Sequence, residues 1–511
     1  MNQSSFIRAQ QFKSPLLVIA GMLLRSRETQ AKRAKKHTRE IRRLKQINQR
    51  HQRTIFGAEE QLAQMRSQIT QLKAENERLR QQPTSLPDDP PLQGHWFGPK
   101  MISLCVNLAG KIGLRPTATI LRIVFDWLGL TNKLPKWTTI RTWLQRVGVA
   151  AIEQPIEKSN DWIWLADHSN QIGPEKVLAV LGLRASKMPP PGVPLTHQDV
   201  RVLSIAPGVS WKREDMAQAY EKLAEQAGCN PMAVLVDGAV ELREGAEILQ
   251  KHRKDTVILG DFKHYAANVL KKIVGGDERF AEFSTLIGRT RSAIQQTELA
   301  HLTPPSPKPK SRFMNLAATL KWAQMVQWQL AHPRSKGRRG ITAKRMNEKL
   351  GWLRKFHDDI RCWNACQSVV SESATFINEQ GLFKGAADQL SDRIEPLRRD
   401  ETSSKVADRL LDFIRQSESK LDEGQRLPMS TEILESSFGL FKQLERQHSK
   451  GGFTSLLAAF GSLLRPSTPE TIRRDFTQVS VKQMRSWVTE NLGTTLASKR
   501  QIAYREFADT T

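Results

Sequence analysis

Two aspartates sit where metal-dependent chemistry needs them. Asp167 closes the apolar run 161–167 (DWIWLAD), and Asp237 closes 232–237 (MAVLVD) just before Gly238. Apolar runs this short, bounded by turn residues, read as buried strands. An acid at the end of each can bring its carboxyl to the edge of a sheet. Magnesium and manganese prefer oxygen ligands, so Asp and Glu suit them and Cys or His do not. Two ions held this way activate a water or a 3′-hydroxyl and stabilise the leaving oxygen of a phosphodiester. Each residue also has a plainer explanation: Asp237-Gly238 makes a good strand-to-helix turn, and Asp167 can cap a loop. Their order and spacing together favour a shared site.

A third acid should come from a later helix. Residues 428–446 read PMSTEILESSFGLFKQLER. With Ser430 as N-cap, Leu434, Phe438 and Phe441 form a buried stripe, and Glu435, Gly439, Lys442 and Arg446 share the adjoining face. A carboxylate backed by two cations, beside a glycine that permits close approach, suits a metal-and-phosphate site. Glu432 lies in the first turn, where the helix dipole alone accounts for an acid. Glu435 is therefore preferred and Glu432 is the alternative. The run Asp261-Phe262-Lys263-His264 adds a fourth acid. Asp261 and His264 either support the site or serve as a helix cap and a packed helix residue. His168 reads as local structure.

The elements that must position these groups follow from the same patterning. Residues 177–183 and 201–206 are two further strands, the second after a Pro-rich turn at 189–194. A helix over 213–226, a strand over 232–237, a helix over 242–252 and a strand over 256–261 complete the order. Three strands, a helix, a strand, a helix and a strand form the order of a ribonuclease-H-like mixed sheet, in a multidomain α/β chain. A stiff basic linker at 303–312 leads into an all-helical insertion. It carries Trp322, Trp328, Trp352, Trp363 and the basic run 334–339. Aromatic and basic groups there suit stacked bases and phosphates; four tryptophans at helical spacing equally suit a core.

The amino-terminal third points to DNA. A heptad register places Ile41, Asn48, Ile55, Leu62, Ile69 and Asn76 at one seam position, with Leu44, His51, Ala58, Met65, Leu72 and Leu79 at the other. This is a coiled coil that makes at least a dimer. Upstream lie Lys32, Arg33, Lys35, Lys36 and Arg39 within a longer basic stretch, an order that lets two helices grip a duplex. After a Pro-rich break at 83–91, residues 99–152 read as a helix-turn-helix. Leu104, Leu108, Ile112, Ile120, Ile123, Val124, Trp127 and Leu128 are its expected core. Thr138 is the expected N-cap of its last helix, with Ile140, Trp143 and Leu144 turned inward. Thr139, Arg141, Thr142 and Gln145 turn outward as a major-groove recognition surface. A plain helical bundle is the alternative.

Charge agrees. Across 511 residues, 78 Lys and Arg against 52 Asp and Glu leave a net charge of +26, which sets partners rather than fold and favours polyphosphate. Four cysteines show no paired framework, as in a reducing compartment. The apolar run 16–24 is too short to span a bilayer. The expectation is a cytoplasmic, nucleoid-associated protein that binds double-stranded DNA, with no membrane partner and no small-molecule cofactor.

In series, Asp167, Asp237-Gly238, Asp261-Phe262-Lys263-His264 and Leu434-Glu435-Ser436 resemble the acidic-triad (DDE) transposases of bacterial insertion sequences, closest to those of Mutator-like layout. The resemblance covers roughly 162–464. It implies Asp167, Asp237 and Glu435 as ligands of two magnesium or manganese ions, with Asp261 and His264 in support. The family often has Asn three residues before the Glu; here that position is Glu432. The expected organisation is a tail (1–27), a basic coiled coil (28–82), a helix-turn-helix (93–152), the first part of the core (158–300), the insertion (303–427), a closing core helix (428–465) and a helical tail (466–511). The expected activity is hydrolysis at the ends of a mobile element followed by strand transfer. The rivals are a non-catalytic DNA-binding regulator, a decayed transposase, and a nuclease that only hydrolyses.

Overall fold

A computed structural model of the chain describes residues 16–80, 88–130, 133–170, 176–208, 210–306, 313, 316–332, 342–448, 454–494 and 496–510. The basic run 334–339, residues 307–312 of the linker and residues 83–87 of the Pro-rich break lie outside these. The chain divides into two compact units, 1–88 and 89–511.

The described part of the first unit is one helix, α1 (Leu16–Arg80), 65 residues long. Straight-chain helix formers dominate it and it holds no proline, so nothing interrupts it. It begins well before residue 28, and part of the expected tail is its first turns. The seam residues Ile41, Leu44, Ile55, Leu62, Met65, Ile69 and Leu72 are exposed along it.

The second unit opens with α2 (Pro99–Ile112), α3 (Leu114–Trp127) and α4 (Trp137–Ile152). Most of their expected core is corrected. Ile102, Cys105, Val106, Ala109, Leu114, Leu121 and Phe125 are buried, whereas Leu104, Ile120, Ile123, Val124, Leu128 and Trp127, 82% exposed, face outward. In α3 both sets of residues repeat at helical spacing, so periodicity alone does not choose the inner face. Packing of α3 against α2 and α4 chooses the stripe through Leu114, Leu121 and Phe125.

The expected N-cap of α4 and the expected outward turn of Gln145 are corrected. The helix starts at Trp137 behind Lys136, not behind Thr138. Gln145 is buried, and its amide donates to the Ser455 carbonyl at 2.7 Å; the Arg141 guanidinium donates to the Ser455 hydroxyl at 2.5 Å. The partner is a 3-10 segment, Ser455–Leu463, packed along α4. Gly148 permits that approach, since a Cβ there would stand 2.1 Å from the Ala458 carbonyl oxygen. The apolar run 147–151 is buried all round, as a helix packed on several sides requires. Helices α15 (Pro469–Gln478) and α16 (Val481–Leu492) complete that burial. Arg146 crosses to them, donating to the carbonyls of Phe476 and Val479. The carboxy-terminal helices are thus part of this packing; α17 (Leu496–Thr510) ends the chain.

Between these regions the described residues form one five-stranded mixed sheet. Its strands are β1 (Trp162–Asn170), β2 (Lys176–Arg184), β3 (Val200–Gly208), β4 (Ala233–Val236) and β5 (Val257–Gly260), in the order β3-β2-β1-β4-β5. The first three form an antiparallel meander, and β4 and β5 run parallel to β1. Parallel neighbours need crossover connections, which α5 (Arg213–Ala227) and α6 (Val240–His252) supply. Trp162, Trp164 and Ala166 join Val234 and Val236 in the core that these helices cover. Ile163, Leu165, Ala233 and Leu235 face the other way, into the core that includes Leu434 and Phe438. Elements appear in the expected order, with strand ends moved by up to three residues.

After β5 come α7 (Phe262–Ile273), α8 (Glu278–Ile294), α9 (Leu316–Ala331), α10 (Ala343–Leu350), α11 (His357–Gln380), α12 (Ala386–Ile394) and α13 (Glu401–Glu418). Trp322 and Trp363 are core, Trp352 is half-buried, and Trp328 is exposed. Helix α14 (Glu432–Arg446) then returns to pack on β1. Among the described residues, no helix is long and apolar enough to cross a membrane.

Candidate active site

The parallel pairing of β1 and β4 ends with Ala166 opposite Val236. The next residues are Asp167 and Asp237, so the two acids leave neighbouring strands about 4.8 Å apart. By alternation they belong to the face of Leu165 and Leu235. Asp167 is only 9% exposed. Burial pushes its pKa up to about 7, and the charge of Asp237 adds to the rise. Its Oδ1 accepts the His168 N–H at 2.6 Å. Asp237 forms the turn its sequence suggests, accepting the Ala239 N–H at 2.8 Å. A Cβ added to Gly238 would stand 4.0 Å from that of His264, so this turn lies against α7.

Glu435 stands at the end of the first turn of α14. Its cations differ from those expected: Lys442 and Arg446 lie further along the helix, and the groups beside Glu435 come from α7. Lys263 Nζ donates to Oε2 at 3.2 Å, and His264 Nε2 stands 3.6 Å from Oε1. Open space surrounds Gly439. Glu432 pairs with the same Lys263 at 2.9 Å and accepts from Asn378 Nδ2 at 3.2 Å. The N-cap is Thr431 rather than Ser430.

Asp261 follows β5 and is 3% exposed. Its Oδ1 accepts the His264 backbone N–H at 2.7 Å and lies 3.0 Å from His264 Nδ1. Its Oδ2 accepts the Thr431 N–H at 2.6 Å and hydroxyl at 2.9 Å. Burial alone would raise its pKa, but the His264 and Thr431 hydrogen bonds hold it below the usual carboxylate range. His264 is driven up to about 9, first by its hydrogen bond to Asp261, against burial, and then by the charges of Asp261, Asp237 and Glu435. At neutral pH it is an imidazolium, and its charge in turn steadies ionised Asp167.

The His264 ring thus meets Asp261 and Glu435, and its charge favours the ionised forms of Asp167 and Asp237. Among the described residues, no three His, Cys, Asp or Glu side chains form a group that could hold a metal ion. Lys263 and His264 are the groups facing the Glu435 oxygens. On the opposite sheet face, His168 Nε2 meets Glu241 Oε1 at 2.8 Å, with Lys176 at 3.7 Å, the local role expected of His168.

Sequence reasoning missed Lys263 and Thr431. Lys263 stood inside the Asp261–His264 run, but a lone lysine in a helix carries no signal until its carboxylate partners are known. No family model matches the chain, and the comparison with curated proteins found no match.

Proposed function

We propose that the chain is a DNA transposase of the acidic-triad class, with a ribonuclease-H-like core, that cuts the ends of a mobile element and joins them to target DNA. The observation that carries this reading is the juxtaposition of Asp167 and Asp237 on adjacent parallel strands; α14 brings Glu435 to Lys263 and His264 of α7, and His264 lies against the turn after Asp237. The strand order, with a helical excursion between β5 and α14, supports the same reading.

The donor chemistry fits a hard divalent cation. Asp167 and Asp237 are oxygen donors whose mutual repulsion calls for positive charge. They would hold two magnesium or manganese ions, with Glu435 as third carboxylate once it exchanges Lys263 and His264. Bound there, the ions would activate water or a 3′-hydroxyl and stabilise the leaving oxygen. The chain's own groups orient the site: Asp237 is fixed by the Ala239 N–H, and Lys263 and His264 supply cations beside Glu435 that suit a phosphate. Duplex affinity is assigned to α1, where Lys32, Arg33, Lys35, Lys36 and Arg39 are exposed, and not to α4. The exposed seam of α1 would be covered by a second copy. Nucleoid association follows from this duplex affinity.

The spacing of the acids also keeps the rival of a non-catalytic DNA-binding regulator in view. A gel shift on the DNA flanking the coding region, searched for inverted repeats, with a strand-cleavage assay in magnesium or manganese, decides between them. Asp167→Asn should abolish cleavage and joining while end binding persists, because a neutral amide binds these ions weakly. A parent protein that binds ends but cleaves in neither metal establishes the regulator.

A further inference from the structure

We infer that Asp261 is a positioning residue: it sets the place of Glu435 and the orientation of His264, and it is not a fourth metal ligand. The inference rests on the site proposed above and concerns how that site is assembled.

Four donors converge on the two oxygens of Asp261, all between 2.6 and 3.0 Å: the His264 N–H and Nδ1 on one, the Thr431 N–H and hydroxyl on the other. Its side chain is 1% exposed. A carboxylate so occupied has no oxygen to offer an ion without breaking these bonds. Its backbone is engaged as well. The Asp261 N–H donates to the Val236 carbonyl at 2.9 Å, one residue before Asp237, and the next amide, Phe262 N–H, donates to Met429 at 2.9 Å.

Asp261 therefore touches the end of β4, the start of α7 and the start of α14. Its amide ties β5 to the end of β4. Its Oδ1 fixes the ring of His264, whose other nitrogen faces Glu435. Its Oδ2 fixes Thr431, 170 residues away in sequence and one turn before Glu435. The helical excursion re-enters the sheet region at this carboxylate. Both arms end at Glu435, one through the rotation of α14 and the other through the imidazole. Partners of this kind hold reacting groups in register, and their loss typically costs about 10- to 100-fold in metal affinity or rate.

The test is a set of full-length variants. Thr431→Val keeps shape and removes one donor from Oδ2, whereas Asp261→Asn removes the charge that both arms require. Manganese binding is measured by calorimetry, and the His264 ring is followed by histidine-selective nitrogen NMR without metal, assigned with His264→Asn. Asp261→Asn should weaken manganese binding about 10- to 100-fold and shift the His264 ring resonances. In a Glu435→Gln background it should weaken binding little further, because its effect passes through Glu435. Thr431→Val should weaken binding and leave the ring resonances in place, since it cuts only the other arm. Additive loss in the double variant would make Asp261 an independent ligand and overturn the inference. Unshifted His264 resonances in Asp261→Asn, or parent-like binding in Thr431→Val, would also overturn it. Should Asp261→Asn fail to fold, Thr431→Val decides alone. A parent that binds no manganese refutes the proposed function, and the metal-free His264 spectrum still decides the role of Asp261.

Discussion

Replacing Asp167 by Asn should stabilise the protein at neutral and alkaline pH. The folded-state pKa of this buried carboxyl is about 7 against an ordinary 3.8, raised by burial first and by Asp237 second. The sign follows from proton uptake. Between pH 4 and 7 the unfolded chain has released this proton and the folded chain has not, so stability falls as pH rises across that window and stays low above it. One pH unit corresponds to about 1.4 kcal/mol, so ionised Asp167 withholds on the order of 4 kcal/mol from the metal-free fold. An amide removes that charge but brings hydrogen-bonding needs worth about 1–3 kcal/mol if unmet. The net gain expected above pH 7 is roughly 1–3 kcal/mol, and it turns into a loss of about 1–3 kcal/mol near pH 4, where only the amide cost remains. Urea unfolding of parent and variant at pH 4.5 and 8, with chelator present, reads this directly. Adding manganese at one hundred times its dissociation constant should return about 2.7 kcal/mol to the parent and little to the variant. A variant less stable than its parent at pH 8 would refute the electrostatic argument, whatever its cleavage activity.

Three further outcomes follow. Gly148→Ala should destabilise the second unit by about 3 kcal/mol or more, because the new methyl meets the rigid backbone of Ala458 and Ala459; thermal melting checks it. Gln145→Ala should cost about 1–3 kcal/mol through the lost bond to Ser455 and leave duplex affinity unchanged. A gel shift weakened without loss of stability would return α4 to a DNA-reading role. Deleting residues 28–82 should lower the mass measured by sedimentation to that of a single chain, and an unchanged mass would show that α1 is not what joins copies.

Much of the scaffold was legible because it depends on local chemistry. Apolar runs bounded by turns marked the five strands, since a strand buried on both faces must be apolar throughout. Asp237-Gly238 announced its turn, and Asp261 its place at the start of α7, because both use side-chain bonds to amides two or three residues on. The heptads marked a long helix in the same way. Partners distant in sequence were not legible. Periodicity shows that a helix has apolar faces, but which face of α3 is covered depends on where α2 and α4 lie. Arg141 and Gln145 have the composition of a DNA-reading surface, yet Ser455, 314 and 310 residues away, takes their hydrogen bonds. Glu435 could be singled out as the third acid, but the cations beside it come from α7 and not from its own helix. The order of elements and the chemical types at their ends could be read from residue order alone. Which buried polar groups meet depends on the packed fold, because such groups must find partners in three dimensions wherever donors and acceptors are brought together.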